Sequence, residues 1–120
     1  MNLEIDKKQV FASTAGKDFD PAKQTVFLLH GSGLSHIVWS LTEQFLSNKG
    51  LNILSLDLPG HGNSEGPCID SIEKIADWIE SVRLFLKIQK VSIVGHSQGC
   101  LEALEYGSRF KKSIFKLVFL

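Results

Sequence analysis

Short apolar runs alternate along the chain with longer stretches in which apolar residues recur every three or four positions. That alternation predicts a β-sheet layered with helices. Residues 2–6 and 8–14 read as two short strands joined tightly, and Asp18 to Lys23, with Pro21 inside, reads as a turn. Thr25-Val26-Phe27-Leu28-Leu29 is apolar almost without a break, as a strand buried on both faces must be. A helix is expected from about Ile37 to Lys49, with Val38, Leu41, Phe45 and Leu46 as its apolar face and Gly50 as its stop. Residues 51–58, LNILSLDL, form a second buried strand, and Pro59-Gly60-His61-Gly62-Asn63-Ser64 is loop because proline and glycine break either element. Asp70 stands where it can cap a helix, with Glu73 as reciprocal partner, and Ile72, Ile75, Ile79, Val82 and Leu86 repeat at helical steps. Val91 to Val94 is a third buried strand, residues 98–109 a helix, and residues 115–120 a further strand. The expected fold class is α/β, a mostly parallel sheet with flanking helices.

At 120 residues, 43% of them apolar, the chain holds enough material for one core, so residues 1–120 are read as part of a single domain. Thirteen basic and thirteen acidic residues cancel, and no basic run exceeds two residues. No net field therefore gathers nucleic acid or an anionic membrane, and neither is expected as a partner. The start, MNLEIDKKQV, carries charge where a secretory leader needs an apolar run, and no stretch approaches the roughly 20 apolar residues that span a bilayer. A cytoplasmic location is expected. Cys68 and Cys100 are too few for a disulfide framework, lack zinc-site spacing, and are read as free thiols. No two of the four histidines stand at i, i+4, and neither a metal nor another cofactor is expected.

Candidate chemistry begins at Val94-Gly95-His96-Ser97-Gln98-Gly99. A serine flanked by Gly95 and Gly99, between a buried strand and a helix, fits a turn so sharp that strand and helix nearly touch while the side chain is thrust outward as a nucleophile. The following helix points its amino terminus at the site, favouring negative charge beside Ser97. Ser97 is expected at positive φ. A second feature, His30-Gly31-Ser32-Gly33, closes another buried strand, where the ligand crevice of a parallel sheet lies. Its glycines leave backbone N–H groups unobstructed, so Ser32 N–H and Gln98 N–H form a candidate oxyanion hole. Gly31, Gly33, Gly95 and Gly99 are each expected where a Cβ would crowd the elbow or crevice. A phosphate loop would need a third glycine and a Lys-Ser/Thr pair, which residues 31–33 lack.

VGHSQG, LLHGSG and LDLPGHGNS, each at a strand end, make the chain resemble the α/β-hydrolase fold superfamily in its serine esterase, lipase and peptidase branch. The resemblance covers Thr25 to Leu120, with residues 1–14 similar to the leading hairpin of that fold. It implies an eight-stranded, mostly parallel sheet in which the strands ending at His30 and Gly95 are neighbours. It also implies Ser97 as nucleophile, with Ser32 and Gln98 as oxyanion donors. His30, Asp57, His61 and Ser64 match loop-shaping positions and carry over no catalytic role. In that superfamily the acid and the histidine follow the serine, yet no histidine follows Ser97, and the only later carboxylates, Glu102 and Glu105, lie on the helix leading away from it. His96 adjoins the serine but diverges from it, His30 and His61 read as loop-structuring, and His36 reads as a solvated helix-start residue.

The sequence closes in the apolar stretch IFKLVFL, which reads as the amino-terminal part of a hydrolase whose edge strand seeks a partner, so self-association is expected. The resulting expectation is a serine hydrolase acting on a small-molecule ester or related acyl substrate through an acyl-enzyme on Ser97, lacking its downstream acid and histidine. The alternative is a non-catalytic ligand-binding or interaction module, which the missing histidine favours and the intact elbow opposes.

Overall fold

The computed structural model describes residues 1–120. Six strands, β1 (Asn2–Ile5), β2 (Lys8–Ser13), β3 (Thr25–Leu29), β4 (Asn52–Leu56), β5 (Val91–Gly95) and β6 (Ile114–Phe119), form one sheet in the order β1-β2-β4-β3-β5-β6. The β1-β2 hairpin is antiparallel and joins β4 antiparallel, whereas β4, β3, β5 and β6 run parallel. The class is therefore α/β, and six strands are present of the eight that the resemblance implies. Three helices, α1 (Ser40–Ser47), α2 (Ile72–Phe85) and α3 (Gln98–Arg109), make the crossovers that parallel neighbours require. None is long and apolar enough to cross a membrane.

Strand alternation divides the core in two. Phe27 and Leu29 of β3 point with Leu54, Leu56, Val91 and Ile93 into a cluster of 19 buried apolar residues that includes Ile75, Ile79 and Val82 of α2 and Ala103 and Tyr106 of α3. Val26 and Leu28 point the other way, where only Trp39 and Ile53 complete a cluster of 4.

Two helix readings need correction. The cap of α2 is Ser71, which has an extended backbone and whose Oγ accepts Lys74 N–H at 3.1 Å. Asp70 lies one residue too early, is exposed, and meets only the Lys74 ammonium at 3.7 Å. The segment expected as a helix over 37–49 opens instead as a 3-10 turn, His36–Trp39, and only Ser40–Ser47 is α-helical. Its orientation is turned from the expected one: Glu43 and Ser47 are buried, Leu41 and Phe45 are 82% and 63% exposed, and of the expected face only Leu46 packs inward. Residues 39, 43 and 47 make a helical stripe as regular as 37, 41 and 45. The bulk of Trp39, seated against Val26, Leu28 and Ile53, selects the first stripe. Glu43 then anchors one carboxylate oxygen at the strand end, Oε1 accepting from Ser13 Oγ at 2.6 Å and Ala15 N–H at 3.0 Å, while Oε2 is buried without a partner.

Candidate active site

Only His96 and Ser97 separate β5 from α3, so the chain reverses within two residues. Ser97 takes φ 58° and ψ −120°, a left-handed conformation that a side-chain-bearing residue holds only when its surroundings force it, and its positive φ meets the expectation. The force is steric. A Cβ on Gly95 would strike the Gly99 carbonyl, and one on Gly99 would lie 2.5 Å from the Leu29 carbonyl oxygen. His96 N–H donates to that Leu29 oxygen at 3.1 Å, and Ser97 N–H donates to Leu120 O at 3.2 Å, so the elbow is bracketed by backbone on both sides. The Ser97 side chain is exposed and its hydroxyl has no hydrogen-bond partner in the protein.

Because Leu29 pairs directly with Gly95, the segments leaving β3 and β5 emerge side by side, as expected. A Cβ on Gly31 would sit 3.3 Å from Ser97 Cβ and 3.5 Å from the His96 carbonyl oxygen, so the loop after β3 abuts the serine. Gly33 departs from the expectation: a Cβ there would meet nothing within 4 Å, and the glycine serves its φ of +74°. Ser32 and Gln98 are both exposed, and neither backbone N–H has an acceptor in the protein. The larger clefts, about 550, 430 and 390 Å³, are lined by other residues; Ser97 stands on open surface.

The loop carrying Ser32 is tied to the loop after β4 through histidines. His30 is fully buried; its Nδ1 donates to the Gly31 carbonyl at 2.7 Å and its Nε2 accepts Leu58 N–H at 3.1 Å. Burial holds the His30 imidazole below its usual pKa, against the Gly31 carbonyl bond, which favours the charged form. His61 lies 5.1 Å from it, ring centre to ring centre, donating Nδ1 to Pro59 O at 3.1 Å and accepting Gly33 N–H on Nε2 at 3.3 Å.

His36 is not the solvated residue the sequence suggested. Its Nδ1 lies 2.9 Å and 3.0 Å from the two carboxylate oxygens of fully buried Asp57, which also accept His36 N–H at 2.7 Å and Asn63 N–H at 2.9 Å. Sequence reasoning gave Asp57 no specific partner. Its signal was a carboxylate ending a buried strand immediately before a glycine-rich loop, since such a group must find N–H donors nearby. Gly62 is required here, because a Cβ would strike the Asp57 carboxylate. Ser64 Oγ closes the loop, donating to Asp57 O at 2.7 Å and accepting Phe11 N–H at 2.9 Å.

No imidazole reaches Ser97. His30, His36 and His61 are engaged as described, and His96 turns toward Trp39 edge-on at 6.2 Å. Glu105 lies 3.9 Å from Arg109 Nε. Glu102 is 1% exposed with Oε2 unpartnered, and burial pushes its carboxyl up to about 7.

A family model described as alpha/beta hydrolase fold matches residues 24–120. The (E)-2-((N-methylformamido)methylene)succinate hydrolase of Acinetobacter baylyi is 32% identical over 79 residues, covering 65% of this chain and 30% of that protein. An uncharacterized protein of Mycobacterium tuberculosis is 30% identical over 94 residues, 78% of this chain and 27% of its own length. The chain thus spans under a third of either relative. Among solved structures, a bacterial membrane phospholipase A superposes with a TM-score of 0.89 at 21% identity, over 99% of this chain and 38% of that one. A predicted CIB-like hydrolase from Thermoplasma acidophilum gives 0.88 at 19% identity, over 99% and 60%. At those identities the likeness concerns the fold.

Proposed function

Because the chain belongs to the α/β-hydrolase fold family, we propose that it carries the nucleophile-bearing half of a serine hydrolase acting on a small-molecule carboxylic ester or related acyl substrate. The observation that carries this reading is Ser97 itself. It holds a strained φ of 58° between two glycines that admit no Cβ, its hydroxyl is unengaged, and Gly31 lies against it. Strain of this kind costs of order 1–3 kcal/mol and persists where it serves a site. The A. baylyi relative is named a hydrolase, which agrees with the reading.

In the proposed reaction Ser97 Oγ attacks the acyl carbon as its proton passes to a base, and the carbonyl oxygen becomes an oxyanion accepting from Ser32 N–H and Gln98 N–H. The two donors are free of protein acceptors, and Gln98 opens α3, so the helix end adds its partial positive charge. Collapse expels the alcohol with one proton and leaves Ser97 acylated. Water then cleaves the acyl-enzyme, releasing the carboxylic acid and restoring the hydroxyl. Within residues 1–120 no histidine is placed to take the Ser97 proton, so base and acid must come from outside them.

The same gap favours a second reading, a ligand-binding or interaction module that keeps the elbow without turnover. Incubating the purified chain and Ser97→Ala with an alkyl fluorophosphonate and a nitrophenyl ester separates the two. The hydrolase reading expects slow phosphonylation confined to Ser97, with ester turnover reduced by about 10⁴ to 10⁶ relative to a complete triad. Absence of Ser97 labelling would leave the binding-module reading standing. Fast turnover that depends on Ser97 would make one of the four histidines the base and refute the missing-base account.

A further inference from the structure

The two peptide planes around Ser32 are each held by an imidazole. Gly31 O accepts from His30 Nδ1 at 2.7 Å and from Leu34 N–H at 3.2 Å. In a trans peptide the carbonyl and the following N–H point in opposite directions, so drawing Gly31 O toward His30 sends Ser32 N–H the other way. The next plane is held at its other end, by Gly33 N–H on His61 Nε2 at 3.3 Å. Carbonyl oxygens only accept and amide N–H groups only donate. Both rings are therefore uncharged and carry their proton on Nδ1, with Nε2 as the acceptor. Their far ends grip one segment, Leu58 N–H for His30 and Pro59 O for His61, and the rings pack together at 5.1 Å. Free backbone at an exposed, glycine-flanked loop has many conformations to lose, and four hydrogen bonds from two rings remove them.

We propose that His30 and His61 act together as positioning residues that aim the Ser32 N–H at the space beside Ser97. This rests on Ser97 as nucleophile and Ser32 N–H as an oxyanion donor. The clamp makes the donor preorganised: its direction is set before any acyl group arrives, which is the condition under which one N–H contributes most to a transition state.

His30 is fully buried, and its replacement endangers folding. The test therefore uses His61, which is only partly buried. His61→Gln keeps an acceptor near the Nε2 position, and His61→Leu removes it. The maximal rate and the half-saturating concentration for phosphonylation of Ser97 by an alkyl fluorophosphonate are measured for both variants, beside amide hydrogen exchange at Gly33 and ring ¹⁵N shifts in the parent chain. The expected result is a maximal rate about tenfold lower in His61→Leu, with half-saturation nearly unchanged and recovery to within about threefold in His61→Gln. Gly33 exchange should quicken in His61→Leu alone, and both imidazoles should show protonated Nδ1. Labelling of His61→Leu at the parental rate would overturn the clamp while leaving the nucleophile intact. Equal losses in Leu and Gln variants would make His61 merely structural and overturn it too. A parent chain that is not labelled at Ser97 would bring down the nucleophile reading, and the aiming function with it, while Gly33 exchange still reports the His61 bond.

Discussion

The two faces of the sheet are built to different standards. One is roofed by α2 and α3 over 19 buried apolar residues; the other is covered in part by α1 over 4. On the first, periodicity and burial agree along the middle of α2, where Ile75, Ile79 and Val82 face inward, although Leu84 and Phe85 of α2 and Leu101 and Leu104 of α3 are half exposed. On the second, α1 turns Glu43 and Ser47 inward and leaves Ile37, Val38, Leu41 and Phe45 in solvent. A face with a large roof lets its apolar stripe choose the orientation of the helix, whereas a face with a small one lets a single bulky residue and a carboxylate anchored through one oxygen choose it.

Adjacent residues of β3 sharpen this contrast most. Leu28 and Leu29 are both fully buried and point to opposite faces. Leu29→Ala should cost about 4–5 kcal/mol and Leu28→Ala about 2–3 kcal/mol, because the sparser face collapses around the cavity more readily. Urea denaturation of the two variants measures the gap, and equal costs would break the comparison.

Glu102 on α3 is the exception within the well-roofed side. A carboxyl whose pKa rises from 4.5 to about 7 on folding binds more protons folded than unfolded across that window. Stability therefore falls as pH rises from 4.5 to 7, and the whole penalty is present above 7. Glu102→Gln should stabilise the chain by roughly 1–3 kcal/mol at pH 8 and not at pH 4, read from denaturation midpoints at both. A variant that gains equally at the two pH values would mean that ionisation is not the cause.

The smallest effect belongs to the α1 surface. Leu41→Lys, at 82% exposure, should shift stability by less than about 0.5 kcal/mol in urea denaturation. A loss of 2 kcal/mol or more would show that the stripe is packed in solution.

These contrasts track what could be read from the chain. Thr25 to Leu29 and Val91 to Gly95 are legible because strands buried on both faces need continuous apolar residues, and the elbow is legible because only glycines fit where a Cβ meets a carbonyl. The orientation of α1 was not, since two stripes have the same helical spacing and the choice lies with Trp39 and with Ser13, 30 residues from Glu43. His36 was misread for a similar reason: its partner, Asp57, is 21 residues away and reaches it only after β4 is laid beside β3. The cap of α2 slipped by one residue because Asp70 and Ser71 are both good caps and backbone geometry alone chooses between them.

The pairing of Thr25 with Val91 carries a consequence for the order in which the molecule assembles. The bend leans on Leu29, 67 residues from its partner His96, and on Leu120, 23 residues from its partner Ser97, so no local segment makes it alone. Contacts of such separation close late, because loop entropy must be overcome before they contribute. The geometry at Ser97 is thus a product of the finished sheet. During refolding, Ser97 phosphonylation should lag the return of helical circular dichroism, so that labelling of Ser97 would time completion of the parallel core.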